Sequence, residues 1–457
     1  MNNRIDVSEV IETQSGRGFL IALLVLVAAA FFLEGFDAQI QGYTAPTITK
    51  LWHIKRSDFS PVFVFFAIGI MLGAIGLGNL GDILGRRIMI VGGVLLFGVF
   101  TVAGVLCGDV RTLSATRFLS AFFLGGAAPN AIALVIDYSP HRNRALNVGI
   151  MYTLYTGGGA AGGFLSAWLV PHFGWQSVYW VCGCLAILFS GILALMLPES
   201  VRYMVIRHKH RAALAATMHR LSPQLPIDSQ TQFFLPKATE RLPWVGELFR
   251  HRRGVMTTAL WIAYGVNLMG LVFVTSWMPT VFADSGISVS RSVIATSIYQ
   301  GGGAVGSVLF GWILDRKNGI LRLAGLCLVA VPIIVGIGHA TFLPALLLVL
   351  AFLAGVCIVG TQTGLNALSG GLYPSYLRST GAGWTSGVGR IGAIIGPLLG
   401  GVLISLHLPL TTIFMLVAIP SFCVAGCLLV VNFSRPGGAA EPSHGGEPAG
   451  HTAILHK

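Results

Sequence analysis

The stretch Phe19–Tyr43 reads FLIALLVLVAAAFFLEGFDAQIQGY and determines how the rest of the chain is interpreted. As a continuous helix rising about 1.5 Å per residue, it is long enough to cross the ~30 Å hydrocarbon core of a bilayer. It nevertheless carries the carboxyl groups of Glu34 and Asp37, which are three residues apart and share roughly one helix face. Because a carboxylate in contact with lipid costs several kcal/mol, this face is expected to lie against protein or a water-filled cavity. The alternative is that Glu34 lies at a locally wet helix end.

Composition predicts an all-α integral membrane protein. Hydrophobic residues make up 54% of the 457 residues and charged residues 10%, whereas a soluble domain carries about 25% charged residues. Twelve apolar runs each have roughly the 20 residues that a transmembrane helix needs. They are Phe19–Gln41, Pro61–Leu80, Ile88–Cys107, Leu113–Asp137, Ala145–Val170, Ser177–Leu197, Val255–Phe282, Ser292–Leu314, Leu321–Gly338, Leu343–Leu372, Thr380–His407 and Thr411–Phe433. All seven cysteines fall within these runs and are interpreted as buried apolar residues, so no disulfide, metal or other cofactor is expected.

The runs fall into two sets of six, which predicts two six-helix bundles. The first run begins too far along the chain, and is too long, for a cleaved signal peptide. The expected division is a cytoplasmic N-terminal tail at 1–18, a bundle at 19–197, a cytoplasmic interbundle loop at 198–254, a bundle at 255–433 and a disordered cytoplasmic tail at 434–457.

The basic residues predict the orientation of the chain in the membrane. With the N-terminus inside, 22 of the 29 Lys and Arg residues lie on the cytoplasmic side, five lie in outer loops, and Arg117 and Arg390 lie within apolar runs. The net charge of +12 is therefore attributed to the inner membrane surface, and nucleic-acid binding is not expected.

A short repeat links the two halves. GNLGDILGRR occupies 78–87 after the second run, and GWILDRK occupies 311–317 after the eighth. Each copy has Gly, three residues, Asp and then a basic turn, and two copies at equivalent junctions indicate a duplicated transporter. An Asp at such a junction can bond backbone N–H groups or a basic partner, which suggests a conformational latch. The candidate gating residues are Gly78, Asp82, Arg86, Arg87, Asp137, Arg142, Arg144, Asp315, Arg316 and Arg378.

These junctions resemble the signature of the major facilitator superfamily, and within it the chain is similar to aromatic acid:proton symporters. The matching pieces are EGFD at 34–37, RFL at 117–119 with GG at 125–126, PN at 129–130, Asp137, and the run from 373 through RSTG at 378–381 to GR at 389–390. Two positions depart from the family pattern: Ile83 replaces a basic residue, and Glu34 replaces Asp. The resemblance implies uptake of benzoate-, hydroxybenzoate- or phenylpropionate-type acids across a bacterial inner membrane, driven by protons. Glu34 and Asp37 are then the candidate proton-coupling residues.

An aromatic acid requires a cation for its carboxylate and flat walls for its ring. Arg117 and Arg390 are the only cations deep within the apolar runs, one in each half, and guanidinium binds carboxylate with two parallel bonds. Arg117 is equally interpreted as a helix lock paired with the acids of the first run. Further candidates for substrate contact are Gln300, Gln362, Asn130, Tyr155, Tyr264, Trp277 and Trp384, although most aromatics and amides in membrane helices serve packing.

Two other functions are compatible with parts of this pattern. A proton-coupled drug or organic-anion exporter would share the fold, but such antiporters carry GxxxGPxxGG in the fifth run, and here that pattern lies in the eleventh, at 392–401. A non-transporting receptor would not need the acid pair. With no nucleophile–base pair evident, an enzyme is not expected; the expected partners are an aromatic carboxylate, a proton and the bilayer, and the expected state is a monomer.

Overall fold

The computed structural model describes residues 4–13, 17–207, 211–222, 224, 231–235, 244–250, 253–314, 318–340 and 342–434. Twelve long helices dominate these residues and confirm the all-α fold. They are α1 (Arg17–Leu51), α2 (Ser60–Gly76), α3 (Arg86–Ala103), α4 (Val110–Tyr138), α5 (Arg144–Phe173), α6 (Gln176–Met196), α7 (Gly254–Asp284), α8 (Val289–Leu314), α9 (Gly319–His339), α10 (Pro344–Gly371), α11 (Arg378–Ser405) and α12 (Leu410–Phe433).

Eleven of these helices are long and apolar enough to cross a membrane. The helix outside this set is α5, which is 30 residues long but carries a polar first half and a glycine-rich centre, so the expectation of twelve crossings is confirmed for eleven. The largest error in the expected bounds concerns α1, which continues ten residues past Gln41 to Leu51.

Asp109 sets the start of α4, because its carboxylate accepts hydrogen bonds from the backbone N–H groups of Thr112 and Arg111. These hydrogen bonds lower the pKa of the Asp109 carboxyl.

Short elements cover the end of the molecule where the chain begins. Strands Arg4–Asp6 and Gln232–Phe234 pair in parallel, and helices Val7–Thr13 and Arg211–Leu221 pack nearby. The tail predicted at 434–457 lies outside the described residues except for Ser434, and the domain boundaries remain predictions.

The helix packing repeats between the two halves. Helix α1 packs on α5, α2 on α4 and α3 on α6, and the same pairs recur as α7 on α11, α8 on α10 and α9 on α12. Glycine permits the closest crossings: a Cβ atom on Gly35 would lie 1.8 Å from the Tyr155 carbonyl oxygen, and one on Gly158 would lie 1.9 Å from that of Phe32. The repeated pairing supports the duplication suggested by the junction motifs.

The two ends of the molecule differ in how the bundles meet. We call the end with junctions 77–85, 139–143 and 372–377 the basic end, and the end with junctions 52–59, 285–288 and 406–409 the far end. At the far end one hydrophobic core contains residues of both bundles, whereas toward the basic end each bundle has a core of its own. The space between the bundles therefore widens toward the basic end.

Specific contacts seal the far end. An Arg56 guanidinium nitrogen lies 2.9 Å from a carboxylate oxygen of Asp284, which joins the α1–α2 junction to the end of α7. The rings of Phe63 and Trp277 meet edge-to-face at 5.0 Å. A Cβ atom on Gly401 of α11 would lie 3.2 Å from Ser60 Cβ of α2.

This last contact predicts a disulfide across the two bundles. Cysteine Cβ atoms in disulfides are about 3.5–4.5 Å apart, so after a shift of a few tenths of an ångström Ser60→Cys with Gly401→Cys should crosslink under mild oxidation. A protease site engineered between the bundles would reveal the crosslink as fragments that separate only after reduction. The matched control is Ser60→Cys with Gly383→Cys, since Gly383 on the same helix has no neighbour within 4 Å. Equal crosslinking of both pairs, or of neither, would contradict the sealed far end.

Candidate functional site

A buried ion pair joins α1 and α4. The two guanidinium NH groups of Arg117 donate to the two carboxylate oxygens of Asp37 at 2.9 and 2.8 Å, and one of them also donates to the Asp37 carbonyl oxygen at 2.9 Å. Arg117 Nε donates to Gln41 at 3.1 Å, and the remaining N–H donates to Thr101 at 3.3 Å. All five guanidinium donors are thus occupied. Both charged side chains are fully buried.

The surroundings of this pair satisfy the carboxylate and cover the cation. Thr101 Oγ1 donates to Asp37 at 2.8 Å, and the Arg117 guanidinium lies over the ring of Phe66 at 4.7 Å and that of Tyr179 at 5.8 Å. Such a pair is neutral overall and fully bonded. In this conformation Arg117 offers a ligand no donor, which fits the helix-lock interpretation better than substrate contact.

The other intramembrane arginine is in a different situation. Arg390 is half-buried, and no hydrogen bond or ion pair joins it to the residues that the structure describes. It precedes Gly401 by about three turns, so it shares the face of α11 that meets the first bundle. Glu34 is also half-buried and lies within electrostatic range of Arg390 across the gap between the bundles. A cation and an acid from opposite bundles therefore face one space.

Three tyrosines lie close to Arg390. Tyr152 and Tyr155 of α5 and Tyr264 of α7 all lie within electrostatic range of Arg390. The sequence interpretation included Tyr155 and Tyr264 but missed Tyr152, which is 42% exposed. The spacing of Tyr152 and Tyr155 was the available signal, because residues three apart share a helix face.

Amide side chains line the second bundle beside Tyr264. The Tyr264 hydroxyl donates to Asn366 Oδ1 at 2.6 Å, and Asn267 Nδ2 donates to Gln362 Oε1 at 2.9 Å. Gln300 lies apart from this group, in α8 against Gly159 of α5.

Three predicted contact residues are placed elsewhere. Trp277 is fully buried in the far-end seal, where its indole N–H donates to the Pro397 carbonyl oxygen at 3.0 Å. Trp384 stacks on Trp261 at 6.1 Å. Asn130 donates to the Gly126 carbonyl oxygen at 2.8 Å and packs against Gly81 at the basic end. None of these side chains is thereby brought beside Arg390.

Comparison with known proteins identifies the family. The family model described as the Major Facilitator Superfamily matches residues 27–386. The chain belongs to the major facilitator superfamily. Membership in this superfamily confirms the expectation of a transporter and not an enzyme.

Relatives within the superfamily align over nearly the whole chain. The Gallate transporter of Pseudomonas putida is 35% identical over 94% of this chain and 96% of its own length. The 4-hydroxybenzoate transporter PcaK of Acinetobacter baylyi is 32% identical over 90% of both chains. The 3-(3-hydroxy-phenyl)propionate transporter of Escherichia coli is 28% identical over 91% of this chain and 94% of its own length.

A solved structure shares the superfamily fold. A bacterial homolog of the human lysosomal transporter Spinster, in an inward-facing and unoccupied conformation, matches with a TM-score of 0.64 and 16% identity over 91% of this chain and 95% of that one. At this identity the match shows the fold alone.

The superfamily signature forms a network inside the first bundle. Arg86 forms ion pairs with Asp137 and Asp82, while the Glu199 carboxylate accepts hydrogen bonds from the backbone N–H groups of Arg86 and Arg87. No hydrogen bond or ion pair joins the Asp82 side chain to α11 among the described residues. The Asp82 side chain is instead 75% exposed at the open basic end.

The remaining gating candidates occupy the junctions. Gly78 packs against Pro129, and Arg142 is exposed. Arg144 and Arg378 occupy equivalent positions, each donating from Nε to the carbonyl oxygen five residues earlier, at 3.1 and 3.3 Å. Asp315 and Arg316 lie outside the described residues.

The buried pair predicts a specific pattern of stability. Asp37→Leu should lower the free energy of unfolding by about 3–5 kcal/mol, because it leaves Arg117 buried without its counterion. Asp37→Leu combined with Arg117→Met should recover part of that loss. Thermal unfolding of the detergent-purified superfamily member would measure both. The two side chains would not form a unit if the losses of stability caused by Asp37→Leu and by Arg117→Met alone added up to the loss measured for the double variant.

Proposed function

We propose that this protein imports small aromatic carboxylic acids together with protons by alternating access. The observation that carries the proposal is Arg390, a half-buried guanidinium in the gap between the bundles with an acid opposite and tyrosine rings around it. An unpaired cation at this depth is costly unless it serves a ligand or water-filled site. The names of the relatives, which refer to gallate, 4-hydroxybenzoate and 3-(3-hydroxy-phenyl)propionate, support an aromatic carboxylate as that ligand.

The proposed orientation places the basic end and both termini in the cytoplasm of a bacterial cell, with the protein in the inner membrane. The distribution of Lys and Arg supports it. The sealed far end then faces outward, and the conformation is inward-facing. One chain supplies both bundles and the gap between them, so we propose a monomer as the transporting unit.

In the proposed site, the substrate carboxylate accepts two parallel hydrogen bonds from Arg390. Such charge-assisted bonds contribute a net ~1.5–3 kcal/mol each. Tyr152 and Tyr155 on one side and Tyr264 on the other offer ring faces and edges to the aromatic ring, which prefers offset or edge-to-face contact. Arg117 is assigned to the structural pair with Asp37.

Proton coupling is proposed to arise from competition for Arg390. When the substrate carboxylate binds, two acids share one guanidinium, and the mutual repulsion of the two anions favours protonation of Glu34. With Glu34 protonated and the substrate carboxylate paired with Arg390, the site carries no net charge. The bundles can then rock and expose the substrate and the proton to the other side of the membrane together. Asp82 is proposed to engage the second bundle when the basic end closes, since its carboxylate is exposed in the open form.

The exporter alternative gains no support from the placement of its motif. Gly392, Gly396 and Gly400 pack on α7: a Cβ on Gly392 would lie 1.9 Å from the Gly265 carbonyl oxygen, and one on Gly400 would lie 2.1 Å from the Trp277 ring. The motif is accounted for by helix packing.

Replacement of Arg390 by Lys tests the carboxylate assignment. Lys keeps the charge but loses the planar fork, so Arg390→Lys should weaken the binding of hydroxybenzoate-type acids roughly tenfold or more. The corresponding amides should bind weakly to the parent and be indifferent to the substitution. Calorimetric titration of purified protein measures both, with exposed Arg111→Lys as the matched control. Unchanged acid affinity in Arg390→Lys would place the carboxylate elsewhere.

Replacement of Glu34 by Gln tests the coupling. The neutral amide should abolish uptake driven by a proton gradient while leaving exchange of labelled for unlabelled substrate within a few-fold of the parent, because exchange needs no net proton movement. Proteoliposomes loaded with cold substrate, with and without a pH gradient, separate the two activities. Gradient-driven accumulation by Glu34→Gln at the parental level would remove Glu34 from the coupling step.

Asp37→Asn is predicted to abolish gradient-driven accumulation too, but through the loss of the Arg117 counterion. Its exchange activity should therefore fall as well, in contrast to Glu34→Gln. Full exchange by Asp37→Asn without accumulation would instead make Asp37 a direct proton carrier.

A further inference from the structure

We propose that Gln362 recognises a ring hydroxyl of the substrate, so that the site prefers hydroxylated aromatic acids to benzoate itself. This inference rests on the proposed function and assigns a specificity-determining residue within the same site. The observation behind it is the side-chain amide nitrogen of Gln362, which is buried and has no hydrogen-bond partner.

The hydrogen-bond network fixes which end of the Gln362 amide is free. Asn267 has one side-chain amide atom 3.2 Å from the Ile358 carbonyl oxygen, which can only accept, so that atom is Nδ2. The same nitrogen lies 2.9 Å from the Gln362 amide and donates to it, so the contacted Gln362 atom is Oε1. The unpartnered atom is therefore the NH₂ donor, and Asn267 holds it in that orientation.

The position of this donor connects it to the carboxylate site. Gln362 lies beside the Tyr264 hydroxyl, but the geometry between the two groups does not form a hydrogen bond. Tyr264 in turn packs on Gly389 and is within electrostatic range of Arg390. The Tyr264 hydroxyl already donates its proton to Asn366 at 2.6 Å. An acid whose carboxylate is at Arg390 thus has its ring beside Tyr264 and the Gln362 donor further along the same bundle.

A buried donor without a partner is destabilising, and a ligand that supplies an acceptor removes that cost. A phenolic oxygen is such an acceptor, whereas the C–H edge of benzoate is not. Sites built to bond a hydroxyl discriminate strongly against analogues that lack it, because their own polar groups are then left unpaired.

The test compares benzoate with its 3-hydroxy, 4-hydroxy and 3,4,5-trihydroxy derivatives on purified protein. The parent should bind at least one hydroxylated acid ten-fold or more tighter than benzoate. Gln362→Met, which keeps the length and removes the donor, should weaken that acid about ten-fold and leave benzoate within two-fold. The matched control is Thr363→Val on the same helix, whose hydroxyl bonds Ser307 and not the amide group; it should keep the parental ratio.

The outcomes separate this inference from the function on which it rests. If the parent bound none of the four acids, the proposed function would fail. If the parent bound them all with equal affinity, or if Gln362→Met weakened benzoate and the hydroxylated acid equally, the function would stand and the hydroxyl assignment would be wrong. Should Gln362→Met not fold, Gln362→Glu keeps the acceptor for Asn267 and replaces the free donor by an acceptor, so it should lose the hydroxyl preference; retention of the preference would overturn the proposal.

Discussion

A charge inside a membrane needs a partner, and the two intramembrane arginines of this chain meet that constraint in opposite ways. Arg117 has all five donors occupied and its counterion in place, with both side chains fully buried. Arg390 has no partner among the described side chains, and it remains half-buried at the gap between the bundles. The first arrangement stabilises one bundle as a unit. The second leaves a cation available to an anion that enters from outside the fold.

The packing of the bundles determines when that cation is accessible. The far end has a core shared by both bundles and an ion pair between Arg56 and Asp284, while the basic end has two separate cores. In the proposed transport cycle, the shared core would separate and the separate cores would meet. The exposed Asp82 carboxylate and the basic junction residues lie where that new contact would form. The proposed site between Glu34 and Arg390 would stay between the bundles, because each bundle contributes one side of it.

Much of the fold followed from the sequence, since local apolar runs determine membrane helices. The two junction motifs also indicated that a six-helix bundle is duplicated. The acid pair and both arginines were also identified, because an ionisable residue inside an apolar run is conspicuous. The sequence left the division of roles between them open, with Arg117 interpreted equally as a helix lock and as a substrate contact. The two residues of each ion pair are far apart in the sequence: Arg117 and Asp37 by 80 positions, and Arg56 and Asp284 by 228. No local sequence pattern therefore predicts either pair. Trp277 is an aromatic residue of the kind that lines a binding pocket, yet tertiary packing places it in the far-end seal.

The central claim is that the substrate carboxylate and Glu34 share Arg390, so that binding of the acid anion is accompanied by protonation of Glu34. Calorimetric titration in buffers of different ionisation enthalpy counts the protons taken up as the substrate binds. At a pH at which Glu34 is ionised before the acid binds, we expect about one proton per bound acid for the parent protein and close to none for Glu34→Gln, with Arg390 intact in both. Binding by the parent without proton uptake, or undiminished uptake by Glu34→Gln, would contradict the account.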